Sequence, residues 1–181
     1  MFAGMEGTRP VLCEIQALVA PSMLGTPRRA IVGWDSARLA TVLAVLDARC
    51  GVRMGASDVY LNVAGGLRIA EPAADLAVAA ALVSSMSGRP LAADTVYFGE
   101  VSLSGAVRMV GLAAARLREA QRLGFARAIA PQAIVDSGGT LGLECRGVSD
   151  LLDLVTLVSG DRDAESATFP EESEQLSATA A

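Results

Sequence analysis

Residues 58–85, DVYLNVAGGLRIAEPAADLAVAAALVSS, decide the fold. Val59, Leu61 and Val63 alternate with Tyr60, Asn62 and Ala64, the period of two expected of a strand with one covered face. Gly65-Gly66 follows as a tight turn, and Leu67 to Ile69 continues as an extended stretch. Glu71-Pro72 then opens a helix predicted to run to about Ser87. Proline is accommodated at the first helical position, where its missing N–H costs nothing. Asp75 lies in the first turns, where a negative charge suits the helix dipole. The remainder, AVAAALVSS, is apolar nearly all round, which predicts a buried central helix. A strand, a turn and a buried helix in succession are the material of an α/β domain.

Working outward, residues 9–20 read as a strand, broken by Pro21 and by Gly25-Thr26-Pro27. Arg29 to Val32 is a second, short strand that pairs back on the first. Asp35 or Ser36 caps a helix predicted to reach Cys50, with Leu39, Val42, Leu43 and Leu46 at helical spacing and Gly51 as its stop. Beyond the central helix, Thr95–Glu100 and Ala106–Val110 read as strands joined around Ser104-Gly105. Leu112 to Leu123 is an amphipathic helix ended by Gly124. Arg127–Ala130 is a strand stopped by Pro131, and residues 140–146 form one more. Ser149–Val158 is the last helix. Several strands pair through short turns, so the expected sheet is mixed and the fold is not a doubly wound nucleotide fold. From Gly160 the composition turns to Ser, Ala, Glu, Asp and Pro. The expected organisation is one domain over 1–159 and a disordered acidic tail over 160–181.

Composition narrows the chemistry. The 181 residues are 52% hydrophobic and 4% aromatic, with no histidine, and all 15 basic residues are arginine. Imidazole-based nucleophile systems, lysine bases, Schiff bases and the lysine of a Gly-Lys-Ser/Thr phosphate loop are therefore absent. Cys13, Cys50 and Cys145 are odd in number and far apart. They fall short of a zinc site and fit a reducing, cytoplasmic setting better than a disulfide framework. No apolar run spans a membrane and no signal peptide is read at the start. The net charge of −5 belongs to the tail: its six acids and Arg162, subtracted from 20 and 15, leave 14 of each sign before Gly160.

Four sets of residues are candidates for chemistry. Glu71 and Asp75, four apart, share a helix face and so suit a metal or an acid–base pair, but a role at the helix start is the favoured reading. Ala64-Gly65-Gly66-Leu67-Arg68 has the glycines of a phosphate cradle, though a plain turn explains them. Ser84, Ser85, Ser102 and Ser104 are hydroxyls without a base. Arg28, Arg29, Arg68, Arg108, Arg116, Arg118 and Arg122 are suited to phosphate. No aromatic residues are interleaved with them for base stacking, so nucleic-acid contact by these arginines would be to the backbone and largely sequence-independent.

The blocks MEGTRPVLCEIQALV (5–19), DVYLNVAGGLRIAEPAADLAVAAALVSS (58–85), GEVSLSGAVR (99–108) and RLREAQRLGFARAIAP (116–131) resemble, in order and spacing, the C-terminal domain of the bacterial RadA (Sms) family of DNA repair proteins. That domain is similar in fold to the proteolytic domain of Lon protease. The resemblance covers Met5 to Pro131, thins toward Val158 and stops before the tail. It implies a mixed-sheet Lon-protease-like domain of the ribosomal-protein-like α/β kind. The serine and lysine of the Lon-type dyad fall on Ala73 and Ala114. The family's usual glycine is Ser102 here and its usual acid is Ala106, which implies a looser hairpin and a missing inter-subunit contact.

The resemblance also implies a function. The chain is expected to be no enzyme, with no metal and no cofactor. The ATP, magnesium and zinc finger of the full-length family are expected to belong to domains outside this sequence. It would then be an excised domain, a truncated gene product or an incomplete sequence. Its implied work is ring assembly, as a hexameric homo-oligomer, and sequence-independent contact with single-stranded or branched DNA during branch migration in recombinational repair. Arg28, Arg29, Arg108, Arg116, Arg118 and Arg122 are the expected DNA or subunit contacts. The alternative is an oligomerisation scaffold with no DNA contact. A peptidase of another mechanism, using Ser102 or Ser104, lacks a base.

Overall fold

The helix read from Glu71 to Ser87 is the centre of the molecule in a computed structural model, which describes residues 1–23, 25–139 and 142–160. In chain order the first strands are β1 (Phe2–Glu6), β2 (Arg9–Cys13), β3 (Ile15–Pro21) and β4 (Arg29–Val32). Helix α1 (Ser36–Cys50) and strand β5 (Ser57–Val63) follow, then the central helix α2 (Asp75–Ser87). Next come β6 (Thr95–Tyr97), β7 (Glu100–Val101), β8 (Val107–Arg108), α3 (Ala113–Arg122) and β9 (Arg127–Pro131). The short α4 (Gln132–Asp136), β10 (Glu144–Val148) and α5 (Leu151–Ser159) complete the fold.

Two sheets and a hairpin result. The larger sheet has the order β10-β9-β6-β1-β2, with parallel junctions except the antiparallel β1–β2 pair. The smaller has the order β3-β5-β4, with β5 antiparallel to β3 and parallel to β4. Strands β7 and β8 form a separate antiparallel hairpin. The fold is therefore α/β with sheets of mixed orientation.

Helix α2 buries Leu76, Val78, Ala79, Ala80, Leu82 and Val83, as its all-round apolar sequence requires. It packs on β3, α1 and α5. Its first turn has no side-chain cap. A 3-10 turn over Pro72–Ala74 leads in, and the Leu76 N–H donates to the Gly99 carbonyl while the Gly99 N–H donates to Ala73. Gly99 must be glycine for this approach: a Cβ there would lie 2.9 Å from Val107 Cγ1. Helix α1 starts and stops as its sequence says. Asp35 accepts from the Arg38 N–H, and Gly51 closes the end in the left-handed region at φ 68°.

Several expectations are corrected. The strand over 9–20 breaks at Glu14 and serves both sheets. The Thr95–Glu100 strand breaks at Phe98-Gly99, where the chain crosses the head of α2. Strand β4 pairs with β5 and not with the strand before it, and strand β1 and helix α4 were not expected. The strand placed at 140–146 begins at Glu144, and Thr140 and Leu141 lie outside the described residues, as does the tail expected from 160, apart from Gly160. The hairpin is closed rather than loose. The Ser102 N–H donates to Ala106, the Gly105 N–H donates to Ser102, and the Ser102 and Ser104 hydroxyls lie 2.8 Å apart.

Candidate functional site

Glu71 and Asp75 flank the head of α2, and neither acts as a helix cap or part of a metal pair. The Glu71 carboxylate takes two bonds from the Arg116 guanidinium, at 2.7 and 3.1 Å, and one from the Met5 N–H at 2.7 Å. Arg116 also donates to the carbonyls of Ala3 and Gly111 and lies 5.9 Å from the centre of the Phe98 ring. Asp75 is held by Arg38 through both oxygens and accepts from the Val101 N–H at 2.9 Å. Burial pushes the Asp75 carboxyl above its ordinary value, against the pull of Arg38 and Val101. Arg38 also lies 3.8 Å from Glu100. The guanidinium of Arg38 was not foreseen. The signal for it was Asp75 itself, an acid in an otherwise apolar helix, which demands a cation.

Beside the Glu71–Arg116 pair lies a hollow of about 220 Å³ lined by Glu71, Ala73, Glu100, Met109, Gly111 and Arg116, among others. Ala73, where the resemblance would put the Lon-type serine, is buried at its edge. Ala114, where it would put the lysine, is exposed in the first turn of α3. Neither carries a nucleophile or a base. Leu112 enters α3 in the left-handed region at φ 60°, a conformation costly for a branched side chain. A second hollow of about 290 Å³, beside Asp94 and Phe125, gathers no converging polar groups.

The expected contact arginines separate into three kinds. Arg116 is buried and spent on Glu71, so it is not available to a phosphate; the expectation of contact at Arg116 is corrected. Arg29 is exposed, but its guanidinium donates to the carbonyls of Arg28, Met54 and Ser57 and closes the turn before β5. Arg122 is exposed and held by Glu119 at 2.6 Å on its own helix. Arg28, Arg108 and Arg118 are exposed, with no ion pair recorded among the described residues. The Gly65-Gly66 segment is a 3-10 turn with both residues at positive φ, and Arg68 nearby is exposed. Ser84 and Ser85 make local structure: Ser84 donates to the Arg89 carbonyl and Ser85 accepts from the Val19 N–H at the edge of β3.

Residues 16–134 match the family model described as subunit ChlI of Mg-chelatase. Among curated relatives, the chain is 62% identical to the DNA repair protein RadA of Brucella abortus over 159 residues, 88% of the chain and 34% of that relative. It is 53% identical to the Rickettsia felis protein of the same name, over 71% of the chain and 29% of the relative. It is 47% identical to that of Escherichia coli K12, over 84% and 33%. The chain thus spans about a third of the length of the curated relatives it matches.

This match corrects two expectations. The reading that the chain is no enzyme rested on the ATPase-type part lying outside it; a match over 16–134 to a subunit of an enzyme overturns that ground. The reading of no cofactor falls with it, because ATP and magnesium come into question for an ATPase-type region. A nucleotide with its magnesium needs a cation on the phosphates and converging oxygens on the metal. Among the described residues no three His, Cys, Asp or Glu side chains gather at one point, and Glu71 and Asp75 are taken by arginines. The two carboxylates at the head of α2 are thus not free for that metal, and the lysine of a phosphate loop is absent from the sequence. No helix among the described residues is long and apolar enough to cross a membrane.

Proposed function

The chain belongs to the family described as subunit ChlI of Mg-chelatase, and, from that premise and its kinship with RadA proteins, we propose that it is the assembly and DNA-contact part of a DNA repair protein. On this reading residues 1–159 are one Lon-protease-like domain and 160–181 an acidic extension. The domain forms one tier of a hexameric ring in the cytoplasm. It holds single-stranded or branched DNA by its phosphates during branch migration in recombinational repair.

The observation that carries the reading is the identity of 62% to a DNA repair protein, which runs over 159 residues and so takes in the body of the chain. The exposed guanidinium groups of Arg28, Arg108 and Arg118 support the DNA contact, since a planar, permanently charged fork is suited to phosphate. Binding of fluorescein-labelled DNA, read as anisotropy across a salt series, tests it. Phosphate contact weakens steeply as salt rises, and removal of residues 160–181 strengthens it. Absence of binding at low salt by either form rejects DNA contact.

One observation favours a second reading, an oligomerisation scaffold without DNA. Arg38, Arg116, Arg122 and Arg127 are all in ion pairs with carboxylates, which takes these four cations from the set open to phosphate. Assembly that persists at high salt, with no DNA bound at low salt, would select it.

A further inference from the structure

The β3-β5-β4 sheet has one face against α2 and the other in solvent. Val59, Leu61 and Val63 of β5 point inward and are buried. The cross-strand register fixes what lies on the outer face. Leu18, Tyr60 and Ala30 form one row across the three strands, and Gln16, Asn62 and Val32 form the next. Leu18 is 57% exposed, Val32 58% and Tyr60 37%. Tyr60 is the one exposed aromatic ring among the described residues. The Asn62 amide donates to the Gln16 side-chain carbonyl at 3.1 Å, and the Gln16 amide donates to the Glu14 carboxylate at 3.0 Å, so the second row is a joined pair of amides that ends on an acid. Arg28 continues β4 at the parity of Ala30 and Val32, opposite Asp58. The Asp58 carboxylate accepts from the Arg28 backbone N–H at 2.8 Å.

We propose that this face docks an unpaired nucleic-acid strand, with a base stacked on Tyr60, its polar edge toward Asn62 and Gln16, and a phosphate at Arg28. The inference rests on the DNA-contact reading above and assigns it a place and a strand type. The chemistry selects the occupant. A sheet face offering an aromatic ring between aliphatic neighbours, amides one row on and a guanidinium at the end matches the three parts of a nucleotide. A duplex hides its base faces and cannot use the ring. A second copy of the chain is the weaker fit. The patch spans about 10 Å across the three strands and about 13 Å from Asp58 to Asn62. That is far short of the roughly 800 Å² per partner of a stable interface. The arginines and the ring are far apart in the sequence, Arg28 and Tyr60 being brought together only by β4–β5 pairing, so interleaving could not reveal them.

The test uses the full chain with labelled oligothymidine and a duplex of equal length, read as anisotropy at low salt. Tyr60→Ala is expected to weaken binding of the single strand about ten-fold and to leave the duplex unchanged, while Tyr60→Phe binds as the parent does. Ultraviolet crosslinking to bromodeoxyuridine should map to the peptide bearing Tyr60. If Tyr60→Ala proves poorly folded by circular dichroism, Leu18→Ser on the same row replaces it. Oligothymidine bound equally by parent and Tyr60→Ala overturns this inference alone and leaves DNA contact elsewhere. A parent that binds neither DNA overturns the DNA-contact reading, and this inference with it. A change in sedimentation of Tyr60→Ala overturns it in favour of a contact between copies.

Discussion

Arg38–Asp75 and Arg116–Glu71 stand at the same helix head, yet burial is distributed oppositely within them. In the first pair the acid is buried, with 1% of its side chain exposed, and the cation is 30% exposed. In the second the cation is buried at 4% and the acid 22% exposed. The difference matters because the two buried partners have different escapes. An aspartate can take up a proton and become neutral. An arginine has no accessible neutral form. The same geometric motif is therefore a rigid fastening on one side of α2 and a titratable one on the other.

The sharpest way to break the comparison is Glu71→Ala. It strands the Arg116 guanidinium among Ala3, Phe98 and Gly111 with no counter-charge, and an uncompensated buried charge costs about 3–5 kcal/mol. Urea denaturation should show that loss at every pH from 5 to 9, because nothing on the arginine can titrate. A loss below about 1 kcal/mol would mean that Arg116 reaches water on its own.

Arg38→Met is the matching change on the other side, with a smaller and pH-dependent cost of about 2–3 kcal/mol at pH 7. Asp75 keeps the Val101 N–H but loses its cation, so its folded pKa, already raised by burial, rises further. A raised folded value makes the group's contribution to stability full below the unfolded value. That contribution is lost as pH rises through the folded one. The variant's deficit against the parent should therefore shrink as pH is lowered from 7 toward 5. A deficit that is flat with pH would show that Asp75 stays charged, and the contrast with Arg116 would fail.

Local signals carried much of the fold and little of this site. The Asp35 cap, the Gly51 stop and the alternation of Val59, Leu61 and Val63 are short-range chemistry and stand in the structure where the sequence puts them. Strand β1 was invisible because Phe2-Ala3-Gly4-Met5-Glu6 contains no β-branched residue. It is a strand because β2 and β6 pair on both its sides and bury Phe2 and Ala3. Glu71 and Asp75 could be seen as carboxylates at a helix start. Their partners lie 45 and 37 residues away, and only the packing of α3 and α1 brings those arginines in. Arg116 stands close to Arg118 and Arg122 in the sequence. Helical geometry turns Arg116 inward and leaves the other two outside.

Cys13 offers the finest probe of the same contrast, because its thiol senses one of the two acids. Burial first, and then the charge of Glu71, lift it to about 11, with the ammonium of Met1 pulling the other way; Asp75 is not among the causes. Glu71→Gln removes that charge while leaving an amide that can still accept from Arg116 and Met5. The Cys13 pKa should then fall, the thiolate fraction at pH 9 should rise, and alkylation should quicken roughly two- to three-fold. Cys145, also raised by burial, serves as the internal reference and should not change. Arg38→Met should leave the Cys13 rate where it was, since the acid it unpairs lies outside the thiol's reach. If both variants quicken Cys13 alike, the two ion pairs do not act as separate fastenings. The head of α2 then loosens as one unit whichever pair is cut.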